Sequence, residues 1–176
     1  MSRRLGWERV AGTLLLAGWA LYMTVVTASN VTDLMQSFGW VHWTFRSGNL
    51  AYIAMTTKVY FHTRAVNQVL LAIAIVWEGT AAVLLWYAAL RWARSRSALA
   101  QARRGLLLLS LLWFAFAICT EIFIAYERGV NESQYWTLAI AVLVTLVVIE
   151  VIGGGSLVRH GEHATDAVSP SEAHRP

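Results

Sequence analysis

Four apolar runs, each long enough to cross a lipid bilayer, leave this chain few alternatives. They cover roughly residues 10–28, 68–90, 105–126 and 135–152. Each holds about 18–23 residues, or roughly 27–35 Å as helix, against a hydrocarbon core of about 30 Å. In lipid such segments must be helical, because every backbone donor and acceptor has to find its partner within the segment. Hydrophobic residues make up 57% of the chain and charged residues 14%, where soluble domains carry about 25% charged residues. A water-soluble domain this apolar could not cover its surface with polar groups. The predicted fold is therefore all-α: a four-helix transmembrane bundle forming a single membrane domain over residues 1–155, followed by a polar tail over 156–176.

The formal net charge is +4, but the basic residues gather at the ends of the apolar runs. Arg3, Arg4 and Arg9 precede the first. Arg91, Arg94, Arg96, Arg103 and Arg104 flank the link between the second and third, which has no acidic residue. Arginines placed this way are topology signals rather than a nucleic-acid surface, so the expected partner is the lipid bilayer and not nucleic acid. By the positive-inside rule both termini are cytoplasmic, in a multi-pass arrangement across a cell inner membrane. The first run has a basic start and a weak cleavage-like Thr27-Ala28-Ser29, but its apolar stretch exceeds a signal peptide's usual 7–15 residues, so it reads as a retained helix. Gly153-Gly154-Gly155 are expected to end the last helix. The polar tail beyond is expected to be disordered, and its scattered histidines form no compact metal-ligand set.

The long link between runs one and two, about residues 29–67, carries Phe38, Trp40, Trp43, Phe45, Tyr52, Tyr60 and Phe61. It is predicted to be an aromatic-rich external loop, with residues 49–61 forming a short helix at the membrane interface, where aromatic rings settle well. A membrane-hugging loop is the simpler reading and a lid over the bundle mouth the sharper one.

Within the spans, Glu78 stands out. A carboxylate at that depth is costly unless it is protonated, paired or facing a wet cavity, which makes it a functional-site candidate. Its helical neighbours Ala74, Ala81 and Ala82 are small and mark a face where another helix approaches closely. Glu121, in the third run, is predicted to be a second buried carboxylate, offset in depth by roughly 7–8 Å and sharing one outward-opening pocket with Glu78. Asn30 and Asp33, at the outer end of run one, and Trp77, beside Glu78, are candidate members of that pocket. No Lys or Arg lies inside a run, so the candidate charge partners are Arg46, Lys58 and Arg64 from the external link. The opposing reading is that Glu78 and Glu121 are hydrogen-bonding glue between helices. There is no Gly-rich phosphate loop, no Ser-His-Asp arrangement and no metalloprotease helix. His42 and His62, the histidines ahead of the tail, lie outside the spans. No catalytic residue, metal site or cofactor is expected, and no enzyme.

Ser29-Asn30-Val31-Thr32-Asp33 at the end of the first span, Trp77-Glu78 in the second, Glu121-Ile122-Phe123 at the end of the third and Asn131-Glu132-Ser133-Gln134 before the fourth resemble a bacterial family of predicted small integral membrane proteins, domain-of-unknown-function family 2165. The resemblance runs from about residue 10 to 150. It implies a four-span fold and no particular activity. In the first external link this chain reads Val41-His42-Trp43-Thr44-Phe45-Arg46-Ser47, where the family pattern is closer to His-Val-Leu-Ser-Met-Asp-Thr-Thr. The leading functional expectation is a non-enzymatic accessory or ligand-binding membrane protein, using an acidic pocket in the outer half of the bundle and serving a small ligand or another membrane protein or complex. A small proton- or cation-coupled transporter using Glu78 and Glu121 is the alternative. A membrane-anchor subunit of a quinone-reactive oxidoreductase comes third.

Overall fold

In a computed structural model that describes residues 2–94, 98–123 and 132–166, the chain is five helices. They are α1 (Ser2–Ser37), α2 (Asn49–Thr57), α3 (Arg64–Arg94), α4 (Leu99–Ile122) and α5 (Glu132–Asp166). Four of them contain segments long and apolar enough to span a membrane: Gly6–Ser37, Arg64–Arg94, Leu99–Ile122 and Ser133–Gly154. Outward-facing Leu14, Leu21, Val25, Ile73, Val76, Val83, Leu111, Ile118, Ile140, Val144, Val147 and Val151 are all exposed. A helical bundle with an apolar outer surface as well as an apolar core is matched to lipid as solvent.

The helices run up and down in sequence. α1 packs along α3, α3 along α4 and α4 along α5, while α1 meets α5 at few points. One of those points is a hydrogen bond from Trp19 Nε1 to Thr145 Oγ1 at 3.0 Å. The core stripe of α3 is Leu71, Glu78, Ala81, Ala82, Leu85, Ala88, Ala89 and Trp92, a three-to-four-residue spacing that places the carboxylate on the same face as the packing alanines. Close approach depends on small residues. A Cβ on Gly12 of α1 would lie 2.3 Å from Trp92 Nε1, and one on Gly105 of α4 would lie 3.0 Å from Leu85 Cδ2. These crossings sit toward the arginine-rich end. There a two-pronged ion pair, with Arg103 Nε and Nη2 donating to Glu150 Oε1 and Oε2 at 2.7 and 2.8 Å, ties α4 to α5.

Several expected boundaries move. α1 continues nine residues past the apolar run, to Ser37. The added segment is polar, but its polar groups are satisfied: Thr32 Oγ1 donates to Ala28 O and Ser37 Oγ to Leu34 O, and Asn30 and Asp33 are taken up by tertiary bonds described below. α4 stops at Ile122, before the expected 126, and residues 124–131 lie outside the described residues. The glycine triplet does not end α5, whose backbone stays helical to Asp166. Gly153 is buried where a Cβ would lie 2.9 Å from Leu99 Cδ1 and 3.2 Å from a Trp92 ring carbon, so this glycine is a packing residue, not a stop signal. The expected disordered tail is therefore helical as far as Asp166, and residues 167–176 lie outside the described residues.

Candidate functional site

The short helix α2 lies across the bundle end formed by the C-terminus of α1, the N-terminus of α3 and the C-terminus of α4. Its formation follows from local sequence. Gly48 adopts a left-handed backbone with φ 75°, a conformation that favours glycine. That turn lets Ser47 Oγ accept the Asn49 N–H at 3.1 Å. Asp33 of α1 then accepts the Leu50 N–H at 2.7 Å and the Ser47 hydroxyl at 3.2 Å on the same oxygen, Oδ2. A carboxylate here satisfies a helix-terminal donor and sits favourably at the positive end of the helix. At the other end of α2, the Thr57 hydroxyl bonds Asn67 Oδ1 of α3 at 2.8 Å. Just beyond, Tyr60 Oη donates to Ile122 O at 3.2 Å and packs edge-on against Phe123. α2 is thus tied to α1 and α3, and the segment after it to α4.

Beneath α2 lies a cavity of about 510 Å³. From α2 it is lined by Asn49, Tyr52, Ile53, Thr56 and Thr57, the spacing of one helical face. Trp40, Trp43 and Phe45 in the preceding loop are exposed. One wall is aromatic. Trp113 stacks on Tyr135, with centroids 6.2 Å apart and planes at 18°, and both rings contact Phe116. Tyr22 completes this wall at 6.4 Å from Trp113.

Glu78 lines the same cavity and is 1% exposed. Its Oε2 accepts from Asn30 Nδ2 at 2.7 Å, and Asn30 Oδ1 accepts from Asn49 Nδ2 at 2.7 Å. This chain links the middle of α3 to α1 and then to the first residue of α2. Asn30, itself 1% exposed, spends both ends of its amide in this chain. Trp77 also lines the cavity, and its Nε1 donates to Leu108 O at 3.0 Å, joining α3 to α4.

The predicted constellation is therefore brought together in part. Glu78, Asn30 and Trp77 share the cavity. Asp33 is buried and close by, but its carboxylate holds the start of α2. Glu121 is not a buried carboxylate: it is exposed and absent from the cavity lining. It lies in the last turn of α4, where packing partners run out and Ile122 is 54% exposed, while the buried face passes through Trp113, Ala117 and Thr120.

The expected cations do not reach Glu78 either. Arg46 donates to Gln36 Oε1 at 3.2 Å and Arg64 to the Ser37 carbonyl. Both border, with Asp33 and His62, a separate cleft on the outer side of α2. Lys58 is exposed at the C-cap of α2. Among the described residues, the partner given to Glu78 is an amide and not a cation. Sequence reasoning missed Asn49, Tyr52, Thr56, Thr57, Trp113 and Tyr135. The 49/52/53/56/57 spacing was a visible signal for the first four.

The family model for predicted small integral membrane proteins (DUF2165) matches residues 8–152. The chain belongs to that family. No curated protein and no solved structure matches it. The DUF2165 match spans α1 through most of α5 and so takes in all four candidate membrane helices and the cavity between them.

Proposed function

We propose that this DUF2165 chain is a non-enzymatic, ligand-binding protein of the bacterial inner membrane, with its site in the cavity beneath α2. Both termini face the cytoplasm in this reading, which the N-terminal arginines and those around the α3–α4 link support. The observation that carries it is Glu78: a buried carboxylate lining a ligand-sized cavity, with no cationic partner among the described lining residues. The volume falls in the range of sites that enclose small molecules, and an apolar, aromatic wall with a few polar groups is their usual make-up. Trp113 is 4% exposed and lines the cavity.

Asn30, Glu78 and Asn49 form the polar rail of this site, and Trp77, Trp113, Tyr135 and Tyr22 its walls. Asp33 is a positioning residue that holds α2 in place. A carrier using Glu78 and Glu121 together draws less support, because Glu121 lies outside the cavity and α2 is anchored at both ends.

The test is mass spectrometry of the protein purified in mild detergent, beside Ala74→Trp, in which an indole replaces a methyl group on the cavity wall. The expected result is a small molecule released from the wild type and missing from the filled variant. Equal recovery from both, or nothing from either, would count against a ligand site. A stoichiometric protein partner retained by both would favour the accessory reading.

A further inference from the structure

The cavity has one acid and no base. Among the described lining residues Glu78 is the sole acidic or basic side chain, and the other polar members are hydroxyls, amides, a thiol and indoles. The cations that could have neutralised it are engaged or placed elsewhere. Arg46 and Arg64 sit on the outer side of α2, Lys58 is exposed, and Arg103 is clamped by Glu150 at the opposite end of the bundle. An anionic ligand would meet a carboxylate and no basic group. A purely apolar ligand would leave that carboxylate with Asn30 alone. Lining the same cavity are Tyr22, Trp113, Phe116 and Tyr135, with Trp113 and Tyr135 stacked. Aromatic faces attract cations, tryptophan most strongly, and the attraction grows when the cation is desolvated.

Resting on the cavity being a binding site, we propose that its occupant is an amphipathic organic cation: an amine or quaternary ammonium carried on an apolar or aromatic body, with Glu78 as its counter-ion. The charged head completes the Asn49–Asn30–Glu78 chain at its open end. The body fills the space bounded by Ile53, Leu71, Ala74, Leu112 and the aromatic wall. Such a molecule partitions into the bilayer and reaches the site from lipid or from the interface.

The test is equilibrium binding of radiolabelled 4-phenylbutyltrimethylammonium to the purified full chain in lipid nanodiscs, beside the uncharged isostere in which carbon replaces nitrogen. The wild type should prefer the cation by roughly tenfold or more, the scale of a desolvated cation–π contact together with an ion pair. Glu78→Gln should abolish the preference while binding the isostere as the wild type does, and Glu121→Gln should leave both affinities unchanged. Trp113→Leu should weaken the cation more than the isostere. Equal wild-type affinity for cation and isostere would overturn the inference while leaving a binding cavity in place, and so would a preference that survives Glu78→Gln. Binding of neither probe would remove both readings. The wild-type comparison needs no variant, so it stands even where Glu78→Gln fails to fold.

Discussion

The two ends of this bundle are built from the same four helices and solve different problems. At the arginine-rich end, glycines and alanines bring the backbones together around Trp92 and Leu85, and the space closes. At the α2 end, the same helices carry aromatic and polar residues, and a cavity of about 510 Å³ remains. Among the described residues, the closed end is held by shape, with the Arg103–Glu150 ion pair on its surface. The open end is held by hydrogen bonds: Asp33, Asn30 and Asn67 accept from α2, and Tyr60, just after α2, donates to the Ile122 carbonyl of α4. Lipid gives no hydrophobic drive to helix association, so close backbone approach and interhelical hydrogen bonds are the available means. This protein assigns one to each end.

Added volume should separate the ends most sharply. Gly12→Leu places a side chain where even a methyl group would overlap the Trp92 indole. It should destabilise by about 1–3 kcal/mol, the cost of overpacking a filled core. Ala74→Leu, on the cavity wall, should cost little. Unfolding in detergent mixtures compares them directly, and equal losses would mean the cavity is not open space.

Untying the roof comes next. Asp33→Ala removes the acceptor for the Leu50 N–H and should cost about 1 kcal/mol, the usual scale of a lost helix-terminal cap. Its signature is local: hydrogen exchange should accelerate across 49–57 and stay unchanged around Trp92. Uniform acceleration would show that the two ends open as one unit.

The smallest effect is expected from Arg103→Ala. Its side chain is 52% exposed and that of Glu150 34%, and exposed ion pairs contribute little to stability. A melting temperature close to wild type is expected, and a large drop would assign the closed end an electrostatic brace that shape does not supply.

The two ends also differed in how legible they were. Span number and position followed from apolar length, because lipid forces such segments into helices. The core face of α3 followed from its small residues, and with it the burial of Glu78. What escaped was tertiary. The polar stretch after residue 28 looked like the end of a helix, since nothing local announces that Asn30 and Asp33 will be satisfied by residues 48 and 17 positions further along. Glu121 looked equivalent to Glu78 in composition, but a carboxylate one turn from a helix end can simply face outward. Gly153 looked like a terminator because a glycine that ends a helix and one that admits a neighbouring indole are the same letter.

The central claim is that Glu78 is held in the cavity by Asn30, joining α3 to α1. A double-mutant cycle tests it most directly, with unfolding free energies measured in detergent for Asn30→Ala, Glu78→Ala and the pair. A direct bond should appear as a coupling energy of about 1 kcal/mol, on the scale of interhelical hydrogen bonds in membranes. Strictly additive losses would contradict it, because the two side chains would then be acting independently.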